Sequence, residues 1–182
     1  MDNLDIEDII RNAEIQKLKK KKRINSGDKG KRTERQLGKK LQKRFGFEFT
    51  RTLGSGNRWS QVTYLPKHAQ QTFTGDLVCP TNFRWVIESK GGYDDIDPYT
   101  MLSQGHHKVD EWIEQAIKEA GHSDRDPLIC WKKTRKAWVC MIQTKHLGKR
   151  RFKYSFKYKD WTLIPLNVIL EFKDDFFFTE ND

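Results

Sequence analysis

The segment RWVIESKGG, which begins at Arg84, constrains the fold of this chain more than any other stretch. Its aromatic and β-branched residues favour extended backbone, and side chains on a strand alternate between two faces. A strand over 84–89, with Lys90 continuing the alternation, sends Trp85, Ile87 and Ser89 one way and Val86, Glu88 and Lys90 the other. A carboxylate and an amine two residues apart then share one face of a sheet. Burying such a pair is costly unless each group is paired or binds something. Taken alone, an acid-x-Lys pair is an ordinary surface ion pair in most chains, so its neighbours decide what it means.

Two neighbours matter. A strand over 75–79 precedes it across a Pro80-Thr81-Asn82 turn, and Asp76 stands at the start of that strand, just after Gly75. A helix over 31–45 carries Leu37, Leu41 and Phe45 on one face, with Gly46 as its C-cap. Glu34 lies at i to Leu37 at i+3 and Leu41 at i+7, on or at the margin of that buried face. Three carboxylates and one lysine can thus meet. Acids gathered this closely repel unless a cation sits among them, and hard oxygen ligands suit Mg²⁺ or Mn²⁺. Such an ion activates water and polarises a phosphoryl oxygen. Lys90 can stabilise the pentacovalent phosphate or position the attacking water. No Ser-His-Asp or Cys-His arrangement competes, and His68, His106, His107 and His122 lack HExxH spacing.

The remaining elements complete an α/β layer, a mixed sheet with helices packed on it. A short strand is predicted over 47–52, a loop over 57–72, a helix over 102–120 and a hairpin of 128–131 with 137–142. The apolar stripe of the second helix is Val109, Trp112, Ile113, Ala116, Ile117 and Ala120. Over 149–161, Phe152, Tyr154, Phe156 and Tyr158 alternate with Lys153, Ser155, Lys157 and Lys159. That pattern reads either as an edge strand protected by lysines or as a DNA-contacting strand.

The chain is expected to divide into a basic extension over 1–28, a main domain over 29–172 that holds these residues and an acidic tail over 173–182. KLKKKKR at 17–23 is a solvated arm or a nucleic-acid-binding one. The tail, with Phe176, Phe177 and Phe178, either stays disordered for a protein partner or docks on the basic body. The formal charge of +10 favours a polyanionic partner. Cys79, Cys130 and Cys140 are odd in number, widely spaced and set in apolar runs, which predicts buried free thiols in a reducing compartment. Neither a signal peptide nor a membrane span is expected, so the protein is expected to be cytoplasmic.

The runs GKRTERQLGKKLQKRFGFEFTRTLGSG, GDLVCP and WVIESKGG together resemble the archaeal-type Holliday junction resolvases, a family within the PD-(D/E)XK nuclease superfamily. The matching features are Lys29-Gly30, Glu34-Arg35, Gly46-Phe47, Arg51, Gly54-Ser55, Asp76 and Glu88-Ser89-Lys90. The resemblance implies a restriction-endonuclease-like core. It implies that Glu34, Asp76 and Glu88 bind one or two Mg²⁺ ions, for which Mn²⁺ substitutes, and that Lys90 is the catalytic lysine. It places Lys29, Lys31, Arg35, Arg51, Ser55 and Arg58 against DNA, with Arg35 and Arg51 on phosphates near the cut. A glutamine on the next helix is common in the superfamily, and Gln104 is the candidate. Such enzymes are homodimers that cut opposed strands of four-way junctions in recombination and repair. The long 57–72 insertion and both terminal additions leave two other readings open. One is a repair, restriction or replication nuclease of the same fold, and the other is a non-catalytic nucleic-acid-binding protein.

Overall fold

The computed structural model describes residues 26–52, 64, 66–103 and 105–180. Helix α1 (Ser26–Phe45) buries Leu37 and Leu41 completely, together with the shorter Thr33 and Gly38. Burial of each leucine contributes about 2 kcal/mol. Asp28 in the first turn and Lys43 and Arg44 in the last complement the helix dipole. Gly46, at a φ of 76°, ends the helix, and its amide donates to the Gln42 carbonyl at 2.9 Å. The helix expected from residue 31 already runs from Ser26, unbroken through Gly27 and Gly30 and across the expected boundary at residue 28. A helical glycine costs about 1 kcal/mol, which the docking of this long face offsets.

Five strands make the main sheet: β3 (Trp85–Gly91), β4 (Asp126–Lys132), β5 (Trp138–Gln143), β6 (Phe156–Tyr158) and β7 (Trp161–Pro165). Their order is β3-β4-β5-β7-β6, with β3 and β4 parallel and the other pairs antiparallel. A parallel pair needs a crossover, which α3 (Pro98–Leu102) and α4 (Lys108–Ala120) supply. The sheet is therefore mixed and flanked by helices, as a PD-(D/E)XK core requires. Two short strands, β1 (Thr50–Arg51) and β2 (Leu77–Val78), pair with each other beside β3. A hydrogen bond of 2.8 Å from the Asp76 amide to the Ile87 carbonyl ties them to the edge of the large sheet.

The sheet has a core on each face. Leu37 and Leu41 of α1 pack with Trp85, Ile87, Leu128 and Cys130 on one. Trp112, Ile113 and Ala116 of α4 pack with Ile129, Trp131 and Met141 on the other. All three cysteines are buried free thiols, as expected. Among the described residues no helix is long and apolar enough to cross a membrane.

Several elements differ from expectation. The strands predicted over 47–52 and 75–79 shrink to two residues each, because only Thr50 and Arg51 pair with Val78 and Leu77. The helix expected over 102–120 starts only at Lys108, and a separate short helix, α3, ends at Leu102; each has its own N-cap. Asp97 Oδ1 accepts the Thr100 amide at 2.9 Å, and Asp110 Oδ2 accepts the His107 amide at 2.9 Å. Ile117, assigned to the apolar stripe, is exposed. Within the loop expected over 57–72, Lys67–Thr72 forms a helix, α2. Of the 149–161 run, Phe156–Tyr158 forms a strand at the far edge of the sheet and Trp161 opens β7. The predicted ring face of the run fails at Tyr154, which is 66% exposed, whereas Tyr158 is buried.

The acidic segment docks on the body. Phe176 and Phe177 enter the α1-side core, and the Arg84 amide donates to the Phe177 carbonyl at 2.8 Å. Arg44, at the end of α1, donates to the Leu170 and Phe172 carbonyls at 2.6 and 2.9 Å and pairs with Asp174 at 2.8 Å. The acids turn outward and the rings inward. The short helix α5 (Leu166–Ile169) precedes this segment. The basic run at 17–23 lies outside the described residues.

Candidate active site

Glu34, Asp76, Glu88 and Lys90 come from three different elements. Each is delivered by a local feature of the sequence. Gly75 sits at a φ of 83°, and a Cβ there would lie 2.8 Å from both the Ile87 carbonyl oxygen and Val86 Cγ1. Only glycine lets the chain approach β3 this closely, and Asp76 is the next residue. Its side chain continues the ladder that its backbone begins, with Oδ2 accepting the Ser89 amide at 2.7 Å. Gly91 plays the matching part for α1, because a Cβ there would collide with the Thr33 side chain. Glu34 follows Thr33, which places its carboxylate beside the same end of β3.

Glu88 and Lys90 project to the α4 side of the sheet. Lys90 Nζ donates to Glu88 Oε1 at 2.5 Å and to Gln115 Oε1 at 2.8 Å. Gln115 Nε2 donates in turn to Glu119 Oε1 at 3.0 Å. Glu34 forms an ion pair with Arg51 of β1. Glu34, Asp76 and Glu88 are all buried, and Glu88 is only 2% exposed.

The electrostatics follow from this crowding. Burial pushes the Asp76 carboxyl up to about 6, with further upward pressure from Glu34 and Glu119. The Ser89 amide and Lys90 oppose that rise without cancelling it. Burial also raises Glu88 well above the usual carboxylate range, and Asp76 and Glu119 add to the effect against the pull of Lys90. Glu88 Oε2 is buried with no hydrogen-bond partner among the described residues. A buried polar atom left unpaired costs about 1–3 kcal/mol, more if charged.

No three carboxylate, histidine or cysteine side chains among the described residues gather as a ready metal cage. Glu34 is turned to Arg51, Asp76 to the Ser89 amide and Glu88 to Lys90. The donor set nonetheless fits a hard cation. It is all oxygen, its acids raise one another's proton affinity, and one buried oxygen lacks a partner.

The other sequence-derived residues divide by place. Lys29, Lys31 and Arg35 are exposed on α1, with Lys31 paired to Asp28 at 3.7 Å. Arg51, expected on phosphate, is held by Glu34. Ser55, Arg58 and Gln104 lie outside the described residues. The glutamine that meets Lys90 is Gln115, and it was missed together with Glu119. A signal for both exists. They fall at i+3 and i+7 from Trp112, on the margin of a buried stripe, as Glu34 does on α1.

Comparison with known proteins bears on this geometry. The model of a family described as "Phage putative PDDEXK endonuclease" matches residues 25–172, most of the chain. The chain is also similar to Protein D14 of Escherichia phage T5, at 26% identity over 125 residues, which is 66% of this chain and 72% of that protein. No solved structure matches.

Proposed function

This chain belongs to the phage PDDEXK endonuclease family, and from that premise we propose that it is a Mg²⁺-dependent, structure-specific DNA endonuclease that resolves four-way junctions. PD-(D/E)XK nucleases generally use divalent metal ions. The observation that carries the catalytic reading is Glu88. It is buried, raised in proton affinity and short of one hydrogen bond, beside a lysine clamped on two sides. A fold has no use for such a group unless something binds it. The preference for junctions rests on the sequence resemblance, as do the homodimer and the substitution of Mn²⁺ for Mg²⁺.

Asp76 and Glu88 would hold the ion, joined by Glu34 once Arg51 is drawn to substrate phosphate. When bound, a divalent cation supplies Lewis acidity at the phosphoryl oxygen and lowers the pKa of water. The chain's own residues do the rest. Glu88 and Gln115 occupy two of the three Lys90 ammonium donors, which fixes the direction of the third. The third donor can hold the attacking water or an equatorial phosphoryl oxygen. Gln115 is thus a positioning residue, held by Glu119. Arg51 exchanges one anion for another, and its release frees Glu34 as substrate arrives. Lys29 and Arg35 steer the backbone from α1.

A panel of four-way, flap, nicked and linear duplex DNA with Mg²⁺ tests this reading. Four-way junctions are expected to be cut fastest, by paired incisions. Equal cutting of all four would remove the junction specificity and leave a general DNA nuclease. No cutting of any, with DNA still bound, would leave a binding protein. Sizing in solution tests the dimer.

A further inference from the structure

We propose that the β4–β5 turn, residues 132–136, is a second phosphate-binding element that grips the DNA backbone away from the scissile bond. The proposal deepens the nuclease reading and rests on it for the identity of the polyanion. Four of the five residues are cations: Lys132, Lys133, Arg135 and Lys136. None of the four forms an ion pair among the described residues, and Arg135 and Lys136 are exposed. An exposed run of like charges normally frays. This one is built in.

Lys29 Nζ of α1 donates to Thr134 Oγ1 at 3.4 Å, and Lys132 Nζ donates to Gln36 Oε1 of α1 at 3.2 Å. The Thr134 amide donates to Asp94 Oδ1 at 2.7 Å, and Lys133 Nζ to the Asp94 carbonyl at 3.1 Å. Lys132 lies over Trp138 and Lys133 over Trp131, with Nζ 5.6 and 5.5 Å from the ring centroids. Asp94 is spent on holding the turn through the Thr134 amide; Lys133 also feels Asp94 and Asp97, whereas Arg135 and Lys136 pair with neither.

Geometry links the turn to the reaction. Strand register sets Trp131 beside Lys90 and Lys132 beside Gly91. At a rise of about 3.3 Å per residue, the tip lies on the order of 10 Å beyond Lys90. That distance suits a phosphate a few positions from the cut. The contacts from Lys29 and Gln36 also bring the turn alongside the face of α1 that carries Arg32, so the cations form one strip. Arg135 holds a φ of 59°, a region in which glycine or asparagine would be cheaper. A charged side chain is kept where the backbone favours a smaller residue, as happens where function needs the side chain.

The test compares two full-length triple variants of equal net charge. K133A/R135A/K136A empties the turn. K118A/K145A/K173A removes three exposed cations elsewhere. Binding to a labelled linear DNA duplex is measured over a range of salt without divalent metal, and cleavage at saturating DNA with Mg²⁺. The turn variant should lose roughly 2–3 from the slope of log K against log salt, and about 10–100-fold in affinity at ~0.1 M salt, while the control loses little. R135G, which suits the backbone at that position, should lose about one unit of slope and so separates charge from misfolding. Cleavage at saturating DNA should hold in both. Equal losses in the two triple variants, or none in the turn variant, would overturn the proposal. The nuclease reading fails separately: a wild-type chain that binds with the turn-dependent slope yet never cuts would sink the enzyme and spare the turn.

Discussion

Two carboxylates in this protein have similarly low solvent exposure and behave in opposite ways. Glu88 on β3 is 2% exposed and Asp110 at the start of α4 is 5% exposed. Glu88 is raised well above the usual range by burial, with an oxygen left unpaired. Burial also pushes Asp110 upward, but bonds from Lys159, the His107 amide and Tyr158 outweigh it and hold the group below its ordinary value. Tyr158 Oη donates to Asp110 Oδ1 and Oδ2 at 3.0 and 3.1 Å, and Lys159 Nζ to Oδ1 at 2.6 Å. Asp110 locks α4 to the β6–β7 turn. Low solvent exposure therefore does not separate the two acids: Glu88 lies deep and short of a partner, whereas Asp110 lies just under the surface with its partners complete.

The contrast can be broken most directly at Glu88. Glu88→Gln or Asp76→Asn should lower Mg²⁺-dependent cleavage by about 10³-fold or more while DNA binding is kept or tightened, because a repelling charge is gone. The same Glu88→Gln change should raise the melting temperature of the metal-free protein, since the folded state disfavours the charge. A fall in melting temperature would make Glu88 a structural acid like Asp110.

The pH dependence sharpens the contrast. The folded Asp76 carboxyl is raised to about 6 from 3.8. Its proton is bound more tightly in the folded state, so its stabilising effect is full below about 4 and is lost as pH rises through 6. The loss is on the order of 3 kcal/mol in metal-free protein. Melting curves of wild type against Asp76→Asn should diverge over that window, and added Mg²⁺ should restore the wild type at high pH, where protons no longer compete. Parallel curves would mean that Asp76 carries no such strain.

Smaller effects follow elsewhere. Asp110→Asn should cost about 2 kcal/mol of stability, seen in denaturant midpoints, with cleavage per folded molecule unchanged. Gln115→Ala should lower kcat about tenfold, on the order of 1.4 kcal/mol, and shift its pH profile, because Lys90 loses a fixed partner. Tyr158→Phe should cost about 1 kcal/mol and leave kcat alone. If Tyr158→Phe slowed cleavage as much as Gln115→Ala, the two acids would not be separable by role.

Much of the site's scaffold could be read before any coordinates. The shared face of Glu88 and Lys90 is a property of strand geometry, and Glu34 beside Leu37 and Leu41 is one of helix geometry. Strand β7 was missed because Trp161, Thr162, Leu163 and Ile164 are all buried, which leaves no alternation to detect. Docking of Phe176 and Phe177 is only one of two readings open in the sequence, because the acids around them face outward. Gln115 escaped notice because an uncharged amide at a stripe margin looks like surface. Its role depends on Lys90, which is 25 residues away in the chain.

The clasp of Arg44 on residues 170–174 has a consequence for timing. It joins the helix that carries Glu34 to segments 126–130 positions later. Contacts at such separation form late, after much chain entropy has been lost. During synthesis α1 therefore waits for residues 170–178 before its far end is covered. A nascent chain halted before residue 170 is expected to stay protease-sensitive around 26–45 and inert towards DNA. Protection of 26–45 in the halted chain would disprove this order of events.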